Sequence, residues 1–409
     1  MDIIFLPFTD IQQNFYSTES REGLKAMKKQ CLEPLLQSIP YLMTRIYAEQ
    51  HLPMNERNNA RHIIEMVKNS FIESMRKKNW IDEPKRELIE KVEQININVG
   101  YPDWLMDDKN LENFHINLNY TIQEKRKNDT LTLLQYYSNV QELKMLHLLS
   151  QIGERVNKSH FWDPLPLHVG ATYDYVGHII STFIFCLKYF CLHFFKNSQL
   201  AIPMGLLQPP FYEDDRPFYL NYASLGSFFG HEMGHSVTPR YSEFDQLLPP
   251  WNMNILKDYL FKAQCFVSQY TNYYDKEADL HLDGTRTFEE DMSDLAGIQA
   301  AYYAYQEAAK RLAMTNGTNL PGQSSSSMTT QRIQELPEFS IDMLFFISFA
   351  QKWCRFSTHV QTRMRISKSV HSPGKYRVNG ALSNLDIFAK AFNCPIGSAM
   401  NPAKRCESW

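Results

Sequence analysis

The chain has 409 residues, 44% of them apolar, 13% aromatic and 21% charged; this composition can bury a large core and excludes a disordered tail. Its 42 basic and 45 acidic side chains give a net charge of −3, which leaves no electrostatic footprint for nucleic acid or anionic lipid. The length fits two or three domains.

The chain opens MDIIFLPFTD, with Asp2 where a secretory signal carries positive charge and an apolar run shorter than a signal core, so no signal peptide is visible. The early chain then reads mostly as helix. Ile64, Val67, Phe71 and Met75 recur at spacings of three and four among Lys, Arg and Glu, which predicts one buried stripe on a solvated helix. A second helix is expected from Asp82, an N-cap followed by Pro84, through Leu88, Ile89, Val92 and Ile95 until Gly100 and Pro102 stop it. The most apolar window, 176–196, nearly reaches the length of a membrane span but carries His178, Lys188 and His193, each costly in hydrocarbon. The Ser-rich stretch from Thr315 to Thr330 reads as a surface loop. Seven cysteines, at 31, 186, 191, 265, 354, 394 and 406, are an odd number, so at least one lacks a partner within the chain. Sequons at Asn119, Asn128, Asn157 and Asn316 suit a secreted protein.

The segment His-Glu-Met-Gly-His, 231–235, carries the first chemistry. On a helix, positions i and i+4 stand one above the other, so His231 and His235 can offer imidazole nitrogens to one tetrahedral cation. Glu232 projects about 100° round the helix, within reach of a metal-bound water without being a ligand. Taken alone, the pattern leaves open an amphipathic helix with two histidines on its polar side. A zinc hydrolase needs a third protein ligand and an open fourth position. Glu290 and Asp294, again i and i+4, precede an Ala-rich helical segment; one carboxylate can bind metal while the other accepts a hydrogen bond from a ligating histidine. By themselves these are also acidic residues favoured at a helix start.

HEMGH, EEDMSD, VHSPGKYRVNG and the ending CESW, in this order, resemble the neprilysin family of zinc metallopeptidases. LLQPPFY, QYTNYYDKEADLHLDGTRT and FFISFAQKWCR add to the resemblance, which runs from about Cys31 to Trp409. The family ectodomain is longer, so the chain is similar to its C-terminal part and lacks the N-terminal anchor and a large first portion.

The resemblance implies one Zn2+ per chain held by His231, His235 and Glu290, with Glu232 as general base and Asp294 orienting a ligand. It implies that His371 stabilises the oxyanion and that Arg377 holds a substrate carbonyl. It also implies a Cys265–Cys406 bridge, partners for Cys31, Cys354 and Cys394 in the missing portion, an extracellular or cell-surface location, and apolar or aromatic side chains after the cut.

The sequence departs from the pattern in three places. Gly170-Ala171-Thr172-Tyr173 stands where the family binds substrate backbone through Asn-Ala-x-Tyr, which leaves Ala171 as the substrate-binding candidate and removes an amide. Ser236-Val237-Thr238-Pro239 follows the second histidine and puts a hydroxyl in place of a carboxylate. Residues 176–196 interrupt a stretch that is short in the family; they are either a hydrophobic helix packed on the domain or translated non-coding sequence.

The expected fold is mainly α with a small β-sheet (α+β): residues 1–155 a partial N-terminal helical lobe, and 156–409 a thermolysin-like zincin catalytic domain. The expected function is a zinc metalloendopeptidase acting on oligopeptides, with peptide substrates, no nucleic acid, and membrane association only through an anchor outside this chain. The alternative is a truncated or catalytically silent homologue acting as a peptide-binding or decoy module.

Overall fold

A computed structural model describes residues 39–77, 82–114, 199–239, 251–314 and 333–408, with a few short pieces between 36 and 174. The insert at 176–196, Ala171, the Ser-rich loop, all four sequons and Cys31, Cys186 and Cys191 lie outside the described residues.

The described chain is mainly helical, as expected, and its compact units do not follow chain order. One unit takes residues 1–53 and 101–168, the other 54–100 and 169–409. The division expected after residue 155 differs from this one at the segments 54–100 and 156–168.

In the smaller unit, α1 (Pro40–His51) meets a 3-10 turn at Asp103–Met106 and the short α4 (Asp108–Phe114). Arg45 ties them together, donating to Leu105 O at 2.9 Å and pairing with Asp108 at 3.1 Å. Tyr41 and Trp104 pack ring against ring at 5.1 Å.

The larger unit begins with α2 (Met54–Lys77), on which Ile64, Val67, Phe71 and Met75 are all buried, as their spacing predicts. α3 (Asp82–Glu93) buries Leu88, Ile89 and Val92. It ends earlier than expected, and Asn96–Gly100 is a strand, β1. The reason is tertiary: β1 pairs in parallel with β3 (Gln199–Pro203), Ile97 opposite Leu200 and Val99 opposite Ile202, and β2 (Thr172–Asp174) adds antiparallel on the other side. The order β1-β3-β2 satisfies backbone groups that a longer α3 would have satisfied internally.

After β3, α5 (Phe218–Asn221) runs through a π turn at Tyr222–Gly226 into α6 (Ser227–Ser236), which carries HEMGH. α7 (Met253–Thr271) starts on Asn252, whose side chain accepts from the backbone N–H groups of Asn254 and Ile255. The two-residue strands β4 (Tyr274–Asp275) and β5 (Leu280–His281) form a hairpin that leads to α8 (Gly284–Met314), at 31 residues the longest of the described helices. α8 is buried on most sides from Asp291 to Ala308 and packs against α2, α6, α7 and α11. Burial on most sides makes this stretch a core helix, although it includes Asp291, Ser293 and Asp294.

α9 (Ile341–Gln351) lays Phe345 and Phe346 on α8, with Phe346 stacked on Tyr302 at 5.6 Å. α10 (His359–Lys368) starts on a capping box of Thr358 and Gln361, α11 (Gly374–Ser383) follows His371-Ser-Pro, and α12 (Asp386–Ala391) follows α11. Cys265 on α7 is bridged to Cys406 across 141 residues, the pairing that the resemblance implies.

Candidate active site

α6 and α8 approach until their backbones touch. A Cβ on Gly297 would lie 2.5 Å from the amide nitrogen of His231 and 2.5 Å from the carbonyl oxygen of Ser227. One turn on, a Cβ on Gly234 would lie 2.9 Å from Ser293. Only small residues permit this seam. It flanks both functional pairs, so the histidines of α6 and the carboxylates of α8 face each other at short range.

The result is a three-donor cluster. His231 Nε2 lies 3.1 Å from His235 Nε2 and 3.2 Å from Glu290 Oε2, and His235 Nε2 lies 3.5 Å from Glu290 Oε1. Zinc bonds of about 2.0–2.1 Å in a tetrahedron put neighbouring ligand atoms about 3.3 Å apart. The measured edges straddle that value, so His231, His235 and Glu290 fit one Zn2+. Two neutral imidazoles and one carboxylate are also the chemistry of a catalytic site that keeps a fourth position open.

Behind the donors, Asp294 Oδ1 sits 2.9 Å from His231 Nδ1. A carboxylate there accepts a hydrogen bond from Nδ1–H and so leaves Nε2 as the lone-pair nitrogen facing the metal position. Asp294 is in turn held by Arg377, whose Nε and Nη2 donate to its two oxygens at 2.6 Å each. Both side chains are buried, and the Arg377 guanidinium also lies over the Trp353 ring at 4.2 Å. Burial works against charge on both, but their attraction holds Asp294 below and Arg377 above the usual ranges.

The carboxylates create a demand for positive charge between them. Burial opposes a charged His231, yet Asp294 and Glu290 outweigh it and lift its pKa to about 9. Burial likewise opposes a charged Glu290, but His231, His235 and His371 hold it well below the carboxylate range. A dication among these donors answers the same demand.

Glu232 is buried on α6 beside His231. His371, on the turn before α11, is half-exposed and brings Nε2 to 3.1 Å from Glu290 Oε2. The structure thus gathers the metal ligands, Asp294, His371 and Arg377 in one place. Arg377, expected to hold a substrate carbonyl, is engaged with Asp294, and Ala171 lies outside the described residues.

Four further residues belong to the site. Ser293 brings its hydroxyl to 3.5 Å from His235 Nδ1; it is three residues from Glu290, a helical spacing that points the same way. Thr238, where a carboxylate was missed, donates its hydroxyl to the carbonyl of His235 at 2.9 Å and so supports the helix end. Asp291 is fully buried with Thr287 and Ser372 as polar neighbours, and burial pushes its carboxyl well above the usual range. Lys352 reaches from the end of α9 to donate to Ser227 Oγ at 2.6 Å. Its spacing marks nothing, since its environment exists only after α9 has packed on α5 and the π turn and brought Lys352 to Ser227.

Comparison with known proteins agrees with this geometry. Family models of peptidase family M13 match residues 4–102 and 194–408, reaching further back than the motifs alone. An endothelin-converting enzyme homolog of Locusta migratoria is 29% identical over 394 residues, covering 95% of this chain and 48% of that protein. Neprilysin of Oryctolagus cuniculus is 30% identical over 376 residues, covering 89% of this chain and 44% of that protein. The chain therefore spans about half the length of the curated relatives it matches. The structure of Mycobacterium tuberculosis zinc metalloprotease Zmp1 in its open state superposes with a TM-score of 0.69 at 19% identity, over 96% of this chain and 53% of that one, which shows a shared fold. A metal-donor triad built on two touching helices, within a chain matched from both ends by the same family, makes this protein a member of peptidase family M13.

Proposed function

We propose that the chain is the zinc-dependent catalytic part of an endopeptidase that hydrolyses peptide bonds in oligopeptides. The observation that carries this reading is the triad itself, with three ligand edges of 3.1, 3.2 and 3.5 Å beside Glu232. Zinc held by His231, His235 and Glu290 would supply Lewis acidity towards a peptide carbonyl and would lower the pKa of a water towards ~7.

The chain's own residues divide the remaining work. Glu232 accepts the proton of the attacking water and returns it to the leaving amine. His371, at the rim and within hydrogen-bond distance of Glu290, is positioned to donate to the oxyanion as it develops. Asp294 fixes the tautomer of His231, and Arg377 fixes Asp294. Ser293 plays the corresponding part for His235.

An extracellular or cell-surface setting is part of the proposal. Its support is the Cys265–Cys406 bridge, which is the chemistry of an oxidising compartment. Among the described residues no helix is long and apolar enough to cross a membrane.

Zinc content measured together with cleavage of a quenched oligopeptide, with and without a chelator, tests the reading. One equivalent of zinc and chelator-sensitive cleavage are expected. Full zinc occupancy with no turnover of any peptide would overturn it.

A further inference from the structure

Lys352 is a basic side chain at the metal site that the chemistry above leaves without a task. It extends from the end of α9 to Ser227, the first residue of α6, which stands one helical turn from His231 on the same face. Phe228, beside Ser227, has its ring 6.5 Å from that of His231. The ammonium thus lies along the rim of the site, boxed by Phe349, Trp353 and Phe228 at 4.6, 5.4 and 5.7 Å from the ring centroids.

Its hydrogen bonding is incomplete. An ammonium has three donors, and the polar acceptor that Lys352 meets within bonding distance is the Ser227 hydroxyl. That hydroxyl gives its own proton to the carbonyl of Ala223, which commits it to accepting from Lys352. Among the described residues no carboxylate lies within ion-pair distance of Nζ. The nearest acidic influence is Asp294, already gripped by Arg377 in a two-bonded pair. Nearby, burial lowers the pKa of Arg365, and the charges of Arg355 and Arg377 act in the same direction. A buried ammonium short of acceptors, with Arg377 near enough to disfavour its charge, favours an anion brought by a ligand.

We propose that Lys352 is a specificity-determining residue, which anchors a carboxylate of the bound peptide beside the metal site and so selects acidic oligopeptides. This rests on the peptidase reading for the kind of ligand and departs from the apolar preference that resemblance implies. Phe228, Phe349 and Trp353 then pack the aliphatic stem of the acidic side chain while the ammonium meets its head. Burial draws the Lys352 pKa down to about 7, and a bound carboxylate restores the charge.

The test uses a short labelled peptide and the series in which Glu replaces Gln at one position at a time. Affinity is read by fluorescence anisotropy on the zinc-loaded Glu232→Gln chain, and cleavage on the unaltered chain. At one position Glu should bind at least about tenfold more tightly than Gln, the worth of one added charge-assisted hydrogen bond. Lys352→Met should bring that ratio to near one, and Lys352→Arg should retain part of it. Equal binding of Glu and Gln peptides at every position, or a ratio that survives Lys352→Met, overturns the proposal. Cleavage without a Glu preference would leave the peptidase standing and the anchor refuted. A Glu preference lost in Lys352→Met, without cleavage of any peptide, would establish the anchor and refute the peptidase.

Discussion

Arg377 closes on Asp294 with two parallel bonds, Nε to Oδ2 and Nη2 to Oδ1, each 2.6 Å long, directly behind His231. The pair is buried, so its members depend on each other. Arg377→Met should strip the buried Asp294 of its two-bonded cation and leave it facing His231, costing about 3–5 kcal/mol of stability. Arg377→Lys keeps the charge and loses the fork, and should cost less. Chemical denaturation of both variants measures the difference; equal losses would mean that the fork itself contributes nothing.

Glu232→Gln keeps the size of the side chain and removes its basicity. It should bind zinc as the unaltered chain does and lower the rate by about 100-fold or more. Zinc titration beside a cleavage assay checks both halves, and retained cleavage would remove Glu232 from the mechanism.

Zinc uptake should release protons. With His231 lifted to about 9, the metal-free site carries a proton there at neutral pH, which the metal must displace. Calorimetry in buffers of different ionisation enthalpy should therefore find at least about one proton released per zinc at pH 7. Affinity should weaken as the pH falls, and a pH-independent affinity would contradict the assignment.

Gly297→Ala tests the helix seam. Its Cβ would fall 2.5 Å from backbone atoms of α6, which cannot turn aside as a side chain can. Overpacking of this kind typically costs about 1–3 kcal/mol. Because the seam sets the reach of Glu290 and Asp294, zinc affinity measured against a competing chelator should fall together with the melting temperature. A change in melting temperature with unaltered zinc affinity would separate seam from site.

Lys352 should make stability pH-dependent. Burial draws its folded pKa down to about 7, from the ordinary lysine value of 10.5. Between these values the unfolded chain holds a proton that the folded chain does not, so stability from this group rises with pH over that window, and the full cost of burying the charge remains below it. Lys352→Met should raise the melting temperature more at pH 6 than at pH 10. An equal gain at both pH values would place the effect in packing.

Much of the site is legible before folding because α-helical spacing is local. His231 with His235, and Glu290 with Asp294, lie at i and i+4, and helix geometry alone stacks each pair on one face. The stripe on α2 is legible for the same reason. The Cys265–Cys406 bridge and the presence of His371 at the site came through resemblance, since spacing does not reveal which cysteines meet or what a half-exposed histidine faces. The strand at Asn96–Gly100 has no local signal and looks like the end of a helix, because its partner β3 is about a hundred residues away in the chain.

The sequence by itself determined the donor types, their pairing within each helix and the family, all properties of residues within a few turns of one another. Only the tertiary structure decided that α6 and α8 touch through Gly230, Gly234 and Gly297, that Arg377 is held by Asp294, and that Ser293 and Lys352 border the metal position. The physical reason is that contact distance, burial and the pKa shifts they cause depend on which remote segments pack together, and no local pattern encodes that.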